Sequence, residues 1–202
     1  MIMNKINKEY LINEYNYYKK KAIESYKKQN YELTLRQIEY ISNIAVSFPI
    51  IYEYCDNEIE QILIKIGINC SKNVNINKQK NKDIFEEKIV FYNGQIVDSG
   101  ALTEQYLNVF EKSEAKILFI VPDINNTFLG RNILKKINNN SKIELFIPKG
   151  QSRLSKIEQI MIALSDFEPT IAFLHFLPGD VVGFTSFSVF SKFKKYFIDH
   201  ND

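Results

Sequence analysis

Hydrophobic residues in the first part of the chain recur every three or four positions, which is the spacing of amphipathic helices. This pattern predicts one helix over 8–30 and a second over 32–48, which Pro49 ends. A third helix is predicted to begin after the N-cap Asp56 and to stop at Gly67. The apolar face of the first helix carries Leu11, Tyr15, Tyr18, Ala22 and Tyr26.

These three helices predict a small helical module over residues 1–67. The stretch 22–35 is like one tetratricopeptide hairpin. A solenoid needs about three such units, and only one is visible in this chain. Residues 68–87 are rich in Asn, Lys and Ser and contain few large apolar side chains, so we expect a linker there.

From residue 88 the pattern changes to short continuous apolar runs separated by helical patterns. Such runs are typical of strands that are buried on both faces, as in a parallel sheet. Alternation of strand and helix predicts an α/β fold, with a Rossmann-like parallel sheet over 88–202 and helices on both faces. The runs lie at 89–92, 117–121, 143–147, 171–174 and 196–198, and the helices between them at about 103–111, 129–137, 154–164 and 181–190.

The amino-acid composition argues against several classes of protein function. The chain has 26 Lys and Arg against 24 Asp and Glu, so it lacks the basic surface of a nucleic-acid binder. The two cysteines, Cys55 and Cys70, are too few for a disulfide framework or a cysteine-based zinc site. We find neither a signal-peptide pattern nor an uncharged apolar run long enough to span a membrane. These features predict a cytoplasmic protein without a metal site.

Ligands of doubly wound sheets bind at the carboxyl ends of the strands, which directs attention to the loop after the first strand. Gly94 and Gly100 there allow close approach of the backbone, and a helix beginning near Thr103 could hold an anion. The loop contains neither a dinucleotide fingerprint nor a Walker A motif. On local signal alone we prefer an ordinary strand-to-helix loop with Thr103 as N-cap.

A second candidate region follows the fourth predicted strand, where His175 and Asp180 flank a turn. Histidine titrates near neutrality and can serve as a base or donate to a leaving group. The alternative for His175 is a buried, hydrogen-bonded imidazole, and we weigh the two equally. Asp180 is expected to cap the helix that begins at Val181, whatever its further role.

The end of the chain also bears on organisation. Asp202 comes soon after the fifth predicted strand, at the ligand edge of the sheet. A doubly wound domain that stops at this point is expected to continue in a longer protein. His200 and Asp202 alone are too few for a metal site.

Several segments together resemble one family. Residues 88–107, KIVFYNGQIVDSGALTEQYL, resemble the first strand, glycine loop and first helix of bacterial GT-B-type glycosyltransferases from surface-polysaccharide clusters. LHFLPGDVVGF resembles their "h..PwDvvg" segment, with Gly179 in place of an aromatic residue. FIDHND resembles the start of their "yiNlTDHaFWLG" segment, in which Asp202 matches the aspartate. The helical module resembles their N-terminal extension, so the resemblance spans about 22–66 and 88–202.

This resemblance implies the acceptor-side half of a two-domain enzyme that transfers a sugar from a nucleotide-sugar to a glycan acceptor in cell-surface glycan synthesis. The missing C-terminal domain would bind most of the donor, so the chain alone should be inactive. No cofactor is implied, and peripheral association with a membrane remains open.

The resemblance also implies site residues. His175 would approach the transferred sugar, as a base or as a hydrogen-bond partner in the transition state. The loop after the first strand would face the donor phosphates or the acceptor, and the aspartates would shape the cleft. The substrate-binding residues implied in this way are Gly94, Ser99, Gly100, Asp180 and Asp202.

Two other functions stay open at this point. The first is a non-catalytic interaction module, in which the helical hairpin docks a partner and the α/β domain is a scaffold. The second is a flavodoxin-like or receiver-like binding domain. A receiver needs an acidic cluster at the strand ends, and only the isolated Asp98 and Asp123 are available.

Overall fold

In a computed structural model of the chain, the described residues are 8–48, 55–74, 87–94, 101–122 and 130–198. Three helices come first, α1 (Lys8–Lys27), α2 (Tyr31–Ser47) and α3 (Asn57–Asn73). Strands and helices then alternate, as the sequence predicts. They are β1 (Lys88–Asn93), α4 (Ala101–Lys112), β2 (Lys116–Ile120), α5 (Arg131–Asn138), β3 (Ile143–Phe146), α6 (Arg153–Phe167), β4 (Ile171–His175), α7 (Val181–Ser188) and β5 (Lys194–Phe197).

The five strands form one parallel sheet in the order β3-β2-β1-β4-β5. The predicted fold class, a Rossmann-like parallel sheet flanked by helices, is therefore confirmed. The chain winds outward from β1 to β3, then crosses back to place β4 on the other side of β1. The strand order therefore reverses between β1 and β4, and ligands of such sheets usually bind outside the carboxyl ends of the strands at this point.

Two hydrophobic cores follow from the alternation of side chains along the strands. Ile89 and Phe91 of β1 face one core, which α4 and α5 cover. Val90 and Tyr92 face the other core, which α6 and α7 cover. Because successive side chains of a strand point to opposite faces, one apolar run supplies both cores.

The N-terminal helices extend the second core. α2 and α3 pack on α6 and α7, and the buried residues of α1, α2 and α3 belong to the same cluster as Val90 and Tyr92. Arg153 at the start of α6 links α6 to α2, since its guanidinium forms ion pairs with Glu32 and Glu39 of α2. Glu32 also accepts from the N–H of Leu154 at 3.1 Å. The helical module therefore shares a core with the sheet.

Helix α3 ends at Asn73, six residues beyond the stop predicted at Gly67 and inside the segment predicted as a linker. Gly67 does not end the helix but lies where α3 packs against α7. A Cβ atom there would lie 2.8 Å from the carbonyl oxygen of Thr185 in α7. The absence of a side chain lets the two helices approach closely, and the helix continues because Cys70 is buried beyond it.

The N-cap predicted for α3 is present. Asp56 Oδ1 accepts from the N–H groups of Glu58 and Ile59. Its Oδ2 accepts from Tyr15 Oη at 3.0 Å and lies 2.6 Å from Lys19 Nζ, so α1 fixes the start of α3. Burial alone would raise the pKa of Asp56, but the bonds from Lys19 and Tyr15 hold it below its ordinary value.

Among the helices in the described part of the chain, none combines the length and apolar character needed to cross a bilayer.

The close approach at Gly67 generates a stability prediction. Gly67→Ala should lower the free energy of unfolding by about 1–3 kcal/mol, because the added methyl group is forced against the backbone of α7. Ordinary helix propensity would give the opposite sign, since alanine is favoured over glycine by about 1 kcal/mol. Urea unfolding measures the difference. Lys65→Ala, on the exposed face of the same helix, is the control and should change little. A stabilised Gly67→Ala variant would contradict this packing.

Candidate functional site

The candidate site lies at the carboxyl ends of β1 and β4. Asn93, the last residue of β1, is in register with His175, the last residue of β4. The Gly94 N–H donates to the His175 carbonyl oxygen at 2.8 Å, which continues the ladder past the strand end. Backbone pairing thus fixes the separation of the two side chains before any side-chain contact is considered.

A chain of hydrogen bonds joins the two strand ends. His175 Nδ1 lies 2.8 Å from Asn93 Oδ1, and Asn93 Nδ2 donates to Thr103 Oγ1 at 2.8 Å. All three side chains are buried, with exposed fractions of 4% or less. Of the two alternatives predicted for His175, the structure shows the buried, hydrogen-bonded imidazole, and a functional role stays a prediction. The ring is buried and bonded, and it lies where a ligand of this fold would bind.

Asp180 forms a second buried pair beside the histidine. Its Oδ1 accepts from the Gly183 N–H at 2.7 Å, so it caps α7, as its position in the sequence suggests. Its Oδ2 accepts from Tyr92 Oη, also at 2.7 Å. Tyr92 is fully buried and Asp180 half-buried, so the carboxyl group is directed into the protein.

Two glycines enclose this pair. A Cβ atom on Gly94 would lie 2.9 Å from Asp180 Oδ2, and one on Gly183 would lie 2.7 Å from Tyr92 Oη. Both distances are shorter than carbon–oxygen contacts in well-packed interiors. Gly94 thus allows close approach of the backbone to Asp180 of this chain. Its predicted part in binding a substrate stays a prediction.

Burial changes the acidity of both partners. Removal from water raises the pKa of Asp180 to about 6, although the bonds from Gly183 and Tyr92 oppose the rise. The negative charge of Glu39 on α2 raises it further. Burial and the neighbouring carboxylate raise the pKa of Tyr92 well above its ordinary value. The tyrosine therefore remains a hydrogen-bond donor throughout the physiological range.

The loop between β4 and α7 also contacts the helical module. Gly179 has a φ of +80°, and a Cβ atom there would lie 2.8 Å from Asn43 Oδ1 of α2. An open cavity of about 530 Å³ lies between this loop and the helices. Its wall includes Asp180, Phe176 and Pro178 on the loop side and Ile38, Ile41 and Asp56 on the helix side.

The structure brings together three of the residues predicted for the site, Gly94, His175 and Asp180. Ser99, Gly100 and Asp202 lie outside the described residues, as do Asp98 and Asp123, which were considered for a receiver. Sequence reasoning missed Tyr92 and Asn93. The available signal was the strand itself, since a polar Asn93 ends an otherwise apolar run whose alternation places Tyr92 toward α7.

Within the described segments, no three His, Cys, Asp or Glu side chains come close enough to hold a metal ion together. No family model, curated protein or solved structure matches the chain.

Titration of Asp180 generates the second prediction. A folded-state pKa above the unfolded value means that the native state binds the proton more tightly. Stability is therefore highest below the unfolded pKa and falls as the pH rises through the folded one. A rise from 3.8 to about 6 corresponds to a loss of about 3 kcal/mol between about pH 4 and pH 7.

Asp180→Asn removes this charge and retains groups that can bond to Gly183 and Tyr92. The free energy of unfolding of the variant, relative to the unchanged protein, should therefore rise between about pH 4 and pH 7. Asp56→Asn is the control, because the pKa of that N-cap lies below its ordinary value of 3.8 and its carboxylate is stabilising. Its stability relative to the unchanged protein should fall as the pH rises toward about 4 and should stay constant from there to about pH 7. Urea unfolding over the pH range provides the measurement. A flat difference for Asp180→Asn would show that its carboxyl group is solvated.

Proposed function

We propose that this chain is the acceptor-side part of a GT-B-type glycosyltransferase that takes its sugar from a nucleotide-sugar donor. The observation that carries the proposal is His175 at the carboxyl end of β4, beside the point where the strand order reverses. Function concentrates at this position in doubly wound sheets. The resemblance of residues 88–107 and of the His175–Gly183 segment to that family supplies the reaction class.

In the proposed reaction, an acceptor hydroxyl approaches the carboxyl ends of β1 and β4, and His175 acts on it as a base or as a hydrogen-bond partner. The donor would be held mainly by a second domain across the cleft, and we expect little transfer from this chain alone. Catalysis of this kind requires both substrates in attack geometry, and one wall of a cleft cannot provide it. The location expected for this function is the bacterial cytoplasm.

The Tyr92–Asp180 pair supports this proposal through the loop that follows His175. Asp180 caps α7 and is fixed by Tyr92, and the loop rests on α2 at Gly179. A loop held at both ends positions the adjacent histidine without needing to contact the substrate itself. In this view the helical module acts as a support for the site.

The alternative, a non-catalytic interaction module, receives less support. Docking through the helical hairpin requires an available apolar face on α1, α2 or α3. The buried apolar residues of α2 and α3 already pack on α6 and α7, and those of α1 pack on α2 and α3. These buried faces are therefore not available to a partner.

The test starts with the reading frame downstream of codon 202. The protein translated from the complete frame is then assayed for sugar transfer with a panel of nucleotide-sugars. His175→Asn should lower transfer at least tenfold, because an asparagine amide can replace Nδ1 of the ring but offers nothing in place of Nε2. Circular dichroism and thermal unfolding check that the variant folds.

Lys194→Ala serves as the matched control, because Lys194 is exposed at the opposite end of the sheet. It should transfer sugar at the unchanged rate. Full activity in a folded His175→Asn variant would refute the role of the histidine. A stop codon at position 203, together with no transfer under any donor, would refute the glycosyltransferase proposal for this chain.

A further inference from the structure

We propose that Asn93 is a positioning residue that holds His175 in the tautomer protonated at Nδ1, so that Nε2 carries the lone pair. The consequence for catalysis rests on the proposed function, but the tautomer is a property of this chain by itself. Sequence reasoning left His175 as either a base or a hydrogen-bond donor. The hydrogen bonds around Asn93 decide between these two roles.

The side-chain amide of Asn93 faces the imidazole ring of His175. Asn93 presents its carbonyl oxygen, Oδ1, to His175 Nδ1 at 2.8 Å. A carboxamide oxygen accepts hydrogen bonds and cannot donate them. With the amide in this orientation, Nδ1 carries the proton, and in a neutral ring the proton is then absent from Nε2.

The Asn93 amide forms hydrogen bonds at both of its ends. Its Nδ2 donates to Thr103 Oγ1 at 2.8 Å, so both ends of the amide have a partner. The Thr103 hydroxyl can accept from Nδ2 or donate to Oδ1, so an amide turned by half a turn would also keep both partners. That turn would place Nδ2 against the ring and would reverse the tautomer. We take the orientation present in the structure, and the ¹⁵N spectra distinguish the two.

Burial and backbone pairing hold the hydrogen-bonded side chains in place. Asn93 is completely buried and Thr103 almost so. Register pairing of β1 with β4 and the bond from the Gly94 N–H to the His175 carbonyl oxygen fix both backbones. Thr103 stands in the first turn of α4, so three different elements hold the ring. A buried bond of this kind retains its strength because solvent does not compete for it.

The chemical consequence is a division of labour between the two ring nitrogens. Nδ1 is used for orientation, and Nε2 is the nitrogen that can take a proton. Nε2 is buried in this structure, so the proposed transfer requires the acceptor hydroxyl to reach it inside the protein. The proton of that hydroxyl then moves to Nε2 while the hydroxyl oxygen bonds to the anomeric carbon. The bond from that carbon to the nucleotide phosphate breaks, and the phosphate leaves with the electron pair. His175 is thereby assigned as the base.

The test reads the tautomer directly, using the isolated chain labelled with ¹⁵N. Protonated and unprotonated ring nitrogens have well-separated ¹⁵N shifts, and long-range proton–nitrogen spectra assign them. Spectra are recorded at about pH 8, where histidine is mostly neutral. His175→Asn identifies the signals of His175 against those of His200, the other histidine of the chain. We expect Nδ1 protonated and Nε2 unprotonated for His175.

Variants at Asn93 separate positioning from simple packing. Asn93→Ala removes the acceptor, and the ring should move toward the Nε2-protonated form. Asn93→Asp keeps an oxygen at the same place and should preserve protonation at Nδ1. Thr103→Ser keeps the hydroxyl group and serves as the control without a tautomer change. A His175 ring protonated at Nε2 in the unchanged protein would overturn the proposal, as would an unaltered tautomer in a folded Asn93→Ala variant.

Transfer assays on the complete enzyme provide an independent outcome. Asn93→Ala should lower kcat at least tenfold with little effect on KM, and Asn93→Asp should recover most of the loss. If the complete protein transfers no sugar but the tautomer is as expected, the proposed function fails and the inference about Asn93 stands. If the tautomer is reversed while His175→Asn still abolishes transfer, only the inference about Asn93 fails.

Discussion

The alternation of side chains along β1 is the constraint on which the rest of the structure depends. This strand lies at the centre of the sheet, between β2 and β4, and is buried on both faces. Its odd-numbered and even-numbered positions supply the two cores. The same alternation continues to the strand end, where Tyr92 turns toward Asp180 and Asn93 turns toward Thr103 and His175. Core and candidate site are consecutive residues of one strand.

The sequence predicts much of the fold, because parallel strands and amphipathic helices impose different spacings on apolar residues. Each of the five predicted strands is present, with ends shifted by one or two residues. The caps at Asp56 and Asp180 are also predictable, since aspartate is among the preferred N-cap residues. The end of α3 cannot be predicted in this way. A glycine inside a helix can mark the end of the helix or a close contact with a neighbouring helix, and the position of α7 shows that Gly67 marks a contact.

The candidate site is less predictable, and the reason is physical. Position at a strand end can be inferred from periodicity, which is how His175 and Asp180 are found. The partners of those groups depend on which strands are neighbours in space. Asn93 and His175 are far apart in the sequence and meet because β4 returns to pair with β1. The raised pKa values of Asp180 and Tyr92 and the orientation of the hydrogen bonds follow from this pairing, so sequence spacing alone cannot supply them.

The core shared by the helical module and the sheet has a consequence for synthesis on the ribosome. Helices α1, α2 and α3 emerge first, but α6, on which they pack, begins only at Arg153. At about 5–20 residues per second, translation takes on the order of ten seconds to pass from α3 to the end of α6. During that interval the apolar faces of α2 and α3 lack their covering surface. The speed of translation from β1 to α6 therefore sets how long these faces stay uncovered.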